Sequence, residues 1–129
     1  MSPALDERGL PPGYRFHEEW EVLPREVAEG LASGTPPLIV DVRTDAELEI
    51  VRLPGAIHLP LHDLERRIED LRDAIEDRGT TGVVTLCHHG MRSMRAAAVL
   101  RAAGFGEVRS MAGGIHLWAI DVAPGMPTY

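Results

Sequence analysis

The run Leu38-Ile39-Val40-Asp41-Val42 sets the tightest limit on what this chain can fold into. It is apolar at successive rather than alternate positions, and strand side chains point to opposite faces in turn, so both faces of such a strand must be covered. That is the pattern of a buried parallel strand, and parallel strands are joined by helical crossovers. The rest of the chain agrees. Residues 20–22, 56–59, 83–86 and 108–111 read as further short strands, giving five in all. Helices are predicted between them: 24–32 with Pro24 in the first turn and Gly34 past the end, 45–51 stopped before Pro54-Gly55, and 92–103 closed by Gly104. A last short helix opens at Gly113-Gly114 and runs through Trp118. Leu61, Leu64, Ile68, Leu71 and Ile75 recur at spacings of three and four, predicting one continuous amphipathic helix. Strands alternating with helices imply an α/β fold with a mainly parallel five-stranded sheet. Residues 1–19, with Leu10-Pro11-Pro12-Gly13, read as an extension that Tyr14, Phe16 and Trp20 can pin to a domain spanning 20–129.

Composition removes several functions. At 129 residues and 44% hydrophobic the chain suits a single domain, and with 5% aromatics its core rests on Leu, Val, Ile and Ala. A net charge of -7 argues against nucleic acid and against an anionic membrane surface. No segment has the apolar length of a membrane span, and the first residues show neither the basic nor the apolar region of a signal peptide. The expected compartment is the cytoplasm, in keeping with a single cysteine that has no partner for an internal disulfide. All thirteen basic residues are Arg, so Schiff-base chemistry and the lysine of a phosphate-binding P-loop are excluded. No cofactor motif is present. His58, His62, His88 and His89 show no metal-ligand spacing, and no metal is expected.

The single cysteine, Cys87, stands where a strand gives way to a loop and then a helix: Cys87-His88-His89-Gly90-Met91-Arg92-Ser93. Ligands of parallel sheets bind beyond the carboxyl ends of the strands, where this thiol is placed. Loop N–H groups and the positive end of a helix favour thiolate over thiol, and Arg92, His88 and His89 act in the same sense. A lone cysteine is more often a small buried hydrophobe, but here thiol, Arg and helix start coincide. Gly90 permits a backbone conformation that a Cβ resists, and Ser93 is poised to donate at the helix start. Asp41, Arg43 and Glu47 read as a structural brace, with Arg43 and Glu47 paired at i,i+4.

Three blocks of residues resemble single-domain rhodaneses, over about 20–118. They are Leu38-Ile39-Val40-Asp41-Val42-Arg43 with Glu47 and Leu53-Pro54-Gly55-Ala56-Ile57-His58-Leu59-Pro60; the loop 87–93; and Gly104-Phe105 with Val108 and Met111-Ala112-Gly113-Gly114-Ile115 through Trp118. The chain departs at Val51-Arg52-Leu53, where the family commonly has Gly-His-Ile, so Arg52 is given no role. The resemblance implies a three-layer α/β/α rhodanese-like domain and a persulfide on Cys87, moving sulfur from a donor such as thiosulfate to cyanide or a thiol. It implies substrate contacts from His88, His89, Gly90, Met91, Arg92 and Ser93, with Arg92 gripping an anionic donor in a two-pronged fashion. Cys87 and Arg92 enclose four residues, one fewer than in the related cysteine phosphatases, which suits a single sulfur atom better than a phosphate. With no second thiol, the sulfur must leave to an external acceptor. Expected partners are a small donor and acceptor, or a protein donor or carrier in a relay; a non-catalytic binding module is the alternative from another class.

Overall fold

The computed structural model describes residues 4–80 and 82–129. The first three residues of the extension, with the start of the segment read for a signal peptide, lie outside the described residues. Five strands, β1 (Glu21–Val22), β2 (Leu38–Asp41), β3 (Ile57–His58), β4 (Gly82–Leu86) and β5 (Glu107–Met111), form one sheet in the order β1-β5-β4-β2-β3. Every pairing is parallel. Five helices alternate with them: α1 (Pro24–Leu31), α2 (Asp45–Ile50), α3 (Ile68–Arg78), α4 (Met91–Ala102) and α5 (Gly114–Asp121). The molecule has the α/β architecture expected of it.

The continuous apolar runs explain the two-sided core. Along β2, Leu38 and Val40 point into one cluster and Ile39 into the other; along β4 Val83 faces the first, as does Cys87 just past its end, while Val84 and Leu86 face the second. The first cluster is closed by Leu64, Leu71, Ala96, Ala97 and Leu100, mostly from α3 and α4, the second by Val27 of α1 with Ile115 and Trp118 of α5. A third, smaller cluster joins Leu10 and partly buried Tyr14 and Phe16 to Ala112 and Leu117, and so seats the N-terminal segment on the body.

Two elements differ from expectation. The helix predicted from Leu61 is broken into a 3-10 turn (Leu61–Asp63) and α3. The Leu61 N–H donates to the Val42 carbonyl at 3.1 Å and Leu64 is buried, so the first turn is tied to the end of β2. Arg67, at φ -112°, ψ 23°, then redirects the chain while Ile68 and Leu71 keep facing the same cluster. Helix α5 runs past Trp118 to Asp121, whose carboxylate takes a two-pronged hydrogen bond from Arg25 of α1 at 2.8 and 2.9 Å.

The sheet order places β2 and β4 side by side although β3 lies between them in sequence, and β5 is the other neighbour of β4. The segments that follow β2, β4 and β5 therefore meet at one end of the sheet. Cys87 begins the middle one.

Candidate active site

Cys87 is the residue directly after β4, with its side chain turned into the first core cluster and 1% exposed. The loop turns at Gly90, whose φ of +108° leads into the first residue of α4. That conformation carries the Gly90 N–H to Cys87 Sγ at 3.0 Å. Beneath the sulfur lies a buried polar cluster. The thiol donates to Ser93 Oγ at 3.3 Å; Ser93 Oγ also lies 2.7 Å from Ser110 Oγ of β5 and donates to the Gly90 carbonyl at 3.2 Å. Thr85 Oγ1 donates to the Ser93 carbonyl at 2.7 Å. Buried hydroxyls persist where each finds a partner, and here the partners all bear on the sulfur or its loop. When the sulfur is an anion, the Ser93 hydroxyl can rotate to donate to it, with Ser110 Oγ beside it as the next hydroxyl. Thr85 and Ser110 were not singled out in the sequence. Their signal is weak, a hydroxyl at a core-facing strand position.

Arg92 lies in the first turn of α4 but its fork is taken. Both terminal nitrogens contact the Glu47 carboxylate, Nη2–Oε2 at 2.8 Å. The Arg43–Glu47 pair read at i,i+4 is thus corrected: Glu47 pairs with Arg92, and Arg43 turns to Asp41, with Nη2–Oδ2 at 2.7 Å. Geometry decides this, since Arg43 is fully buried between the ends of β2 and α2 and also donates to the Val51 carbonyl at 2.7 Å. The hydrogen bonds from Arg92, and secondarily one from Tyr129, hold the Glu47 carboxyl far below the usual carboxylate range; its partner raises the Arg92 guanidinium in turn. Glu47 also reaches back to Thr44 N–H at 3.2 Å, closing a capping box on α2, so one carboxylate links that helix start to α4. A two-pronged grip of Arg92 on an anionic donor would require this pair to open. Its charge stays at the loop either way.

His88 and His89 project from the loop beside His116 of α5, with ring centroids 3.8 Å (88–89), 5.0 Å (89–116) and 6.0 Å (88–116) apart. Burial, and then the neighbouring His88, His116 and Arg92, lower the pKa of His89 and favour its neutral form. Its contribution of positive charge to the sulfur is correspondingly reduced. His88 stacks on Tyr129, centroids 3.8 Å apart at 7°, and the Tyr129 hydroxyl lies 2.6 Å from Glu47 Oε2 and 3.0 Å from Arg43 Nη1. Tyr129 therefore lies against the loop. Met91, 84% exposed, forms part of its rim.

Clefts open on both sides of the loop. One, about 380 Å³, is lined by Tyr14, His89, Gly90, Met91 and Met94 among others; the second, about 700 Å³, by Val42, Thr44, Leu61, Arg92 and Arg95. His58 and His62 do not join the three imidazoles: His58 Nε2 bonds the Arg43 carbonyl at 2.7 Å, and His62, exposed beside Asp63, lies on the wall of the larger cleft.

A family model of the rhodanese-like domain matches residues 23–121. The chain belongs to the rhodanese family. Among its relatives, a protein named sulfurtransferase from Allochromatium vinosum is 35% identical over 99 residues, covering 77% of this chain and 87% of that one. An adenylyltransferase and sulfurtransferase MOCS3 from Arabidopsis thaliana is 31% identical over 121 residues, 86% of this chain. This rhodanese spans only 26% of that relative's length. Among solved structures, the human single-domain sulfurtransferase TSTD1 superposes with a TM-score of 0.66 at 26% identity, covering 78% of this chain and 95% of that one. Among the described residues no helix is long and apolar enough to cross a membrane.

Proposed function

We propose that this rhodanese is a sulfurtransferase that carries sulfane sulfur as a persulfide on Cys87. The observation that carries the reading is the seat of Sγ: an N–H donor at 3.0 Å, a hydroxyl at 3.3 Å and the start of α4 converge on one sulfur. All three favour negative charge at that point. In the first half-reaction the Cys87 thiolate attacks the outer sulfur of a donor such as thiosulfate. The new S–S bond forms as the donor's S–S bond breaks, and the electron pair leaves on sulfite. In the second, a nucleophile (cyanide in the assay, a thiol in the cell) takes the outer sulfur and the electron pair returns to the Cys87 thiolate. Nothing is oxidised or reduced overall beyond the exchange at sulfur. The Gly90 N–H and the Ser93 hydroxyl meet the charge on the thiolate and then on the persulfide, and His88, His89, Met91 and Arg92 form the rim that a donor or acceptor crosses.

The four-residue spacing of Cys87 and Arg92 supports sulfur over phosphate as the transferred group. A protein-to-protein relay is the second reading, favoured by the match to the rhodanese-sized portion of adenylyltransferase–sulfurtransferases. Cytoplasmic operation, with no cofactor, completes the proposal. Sulfite release from thiosulfate in the presence of cyanide tests the first form: wild type turns over and Cys87→Ser does not. Absence of release, with fast uptake of sulfur from a protein persulfide, would transfer the assignment to the relay. Activity retained in Cys87→Ser would refute both.

A further inference from the structure

The loop ends after β4 and β5 bring together three imidazoles that the sulfur chemistry does not require. His88 and His89 leave the loop; His116 leaves the first turn of α5. Two backbone bonds clamp the elements, Ile115 N–H to the Cys87 carbonyl at 2.8 Å and His116 N–H to the His88 carbonyl at 3.1 Å. One ring nitrogen from each of the three lies within 4.8 Å of the others, and among the described residues this is the one such group of three metal-ligating side chains. We propose that His88, His89 and His116 form a binding site for a divalent d-block cation at the mouth of the Cys87 loop.

Two further observations point to a ligand. Among the described residues, His116 Nδ1 is the one buried side-chain polar atom without a hydrogen-bond partner. A buried nitrogen with no partner is costly, and a cation held by His116 through this atom would supply one. His88, for its part, is already arranged as a ligand. Its Nε2 lies 2.6 Å from a main-chain oxygen of Tyr129, which only accepts, so in the neutral ring Nε2 is the donor and Nδ1 is the nitrogen left to ligate. Metal-binding histidines are commonly oriented in this way, by donating their other nitrogen to a carbonyl. The stack on Tyr129 fixes the ring plane as well. His89, the exposed member of the group, has the freedom to close on an ion.

Three imidazoles without a carboxylate select zinc, cobalt, nickel or copper over calcium or magnesium. Bonds of about 2.0–2.1 Å to zinc hold nitrogens closer together than the 4.8 Å within which these three stand, so the rings draw in as the ion binds. The fourth position is left to water or an anion. The nearby Arg92 charge, which would repel a cation, is offset by its pairing with the Glu47 carboxylate.

Zinc chloride titrated calorimetrically into Cys87→Ser protein tests the site with no thiolate present to bind the metal. One zinc per chain is expected, with binding weakened at least about tenfold by His116→Ala or His88→Ala and unchanged by His62→Ala. Imidazole proton–nitrogen spectra of the Cys87→Ser protein, which keeps all three histidines, should show the three rings shifting together on zinc addition. No stoichiometric binding without the thiol, or binding indifferent to His116 with no joint shift of the rings, would overturn the proposal. Neither readout depends on sulfur transfer, so the site stands or falls separately from the proposed activity.

Discussion

Cys87 is held by neighbours that are bonded to one another. Removing the Ser93 hydroxyl leaves Ser110 Oγ, fully buried in β5, short of its 2.7 Å partner and takes one donor from the sulfur. Ser93→Ala is therefore expected to lose about 1–3 kcal/mol of stability in urea unfolding and to slow sulfur transfer; an unchanged midpoint would mean the hydroxyl cluster is not coupled to the fold. Glu47 gives a pH prediction. Its carboxyl is depressed in the folded state, from an ordinary 4.5, chiefly by Arg92. A depressed carboxyl contributes stability that is present above its unfolded pKa and lost as the pH falls toward the folded value. Wild type should thus lose thermal stability as the pH drops below about 4.5. Glu47→Gln should start lower at neutral pH and lose less across that window, and parallel curves for the two would contradict the pairing.

At the scale of elements, the decisive contact is the approach of α5 to the loop. Gly114, at φ +64°, has no room for a Cβ: one would stand 2.3 Å from the His88 carbonyl oxygen and 2.5 Å from that of Cys87. A Cβ at Gly90 would be opposed chiefly by the φ of +108°, its nearest obstruction standing at 3.4 Å. Gly114→Ala should therefore be the more damaging, at about 3 kcal/mol or more against about 1–2 for Gly90→Ala, because backbone atoms must move and the bonds to the Ile115 and His116 N–H groups are lost. Equal losses in denaturant titrations would show that torsional strain, not the close approach, governs the start of α5. The sequence made the five strands and the order of the helices legible, because unbroken apolar runs and glycine or proline stops are local signals. It misread the stretch from Leu61, since a break that leaves Leu64, Ile68 and Leu71 on one cluster also leaves the periodicity intact.

For the molecule as a whole, the same distinction between local and distant signals divides the candidate site. The run from Cys87 to Ser93 is contiguous and could be read directly. Glu47 with Arg92, Ser93 with Ser110 and Tyr129 with His88 join residues far apart in sequence, which only the sheet order brings together. His116 had one available clue: adjacent parallel strands place the segments that follow them side by side. The buried Arg43 is the brace of that whole end, bonded to Asp41 on β2, to Val51 past α2 and to the Tyr129 hydroxyl. Arg43→Ala leaves Asp41 buried and uncompensated, and is expected to cost about 3–5 kcal/mol by thermal or urea unfolding; a change within 1 kcal/mol would remove the brace from the account. Whether Cys87 carries the transferred sulfur can be read from the intact mass of the purified protein before thiosulfate, after it, and again after cyanide. Thiosulfate is expected to add one sulfur atom that cyanide removes and that Cys87→Ser never shows. A mass unchanged by thiosulfate and by a protein persulfide donor alike, on a chain whose thiol is unoxidised, would contradict it.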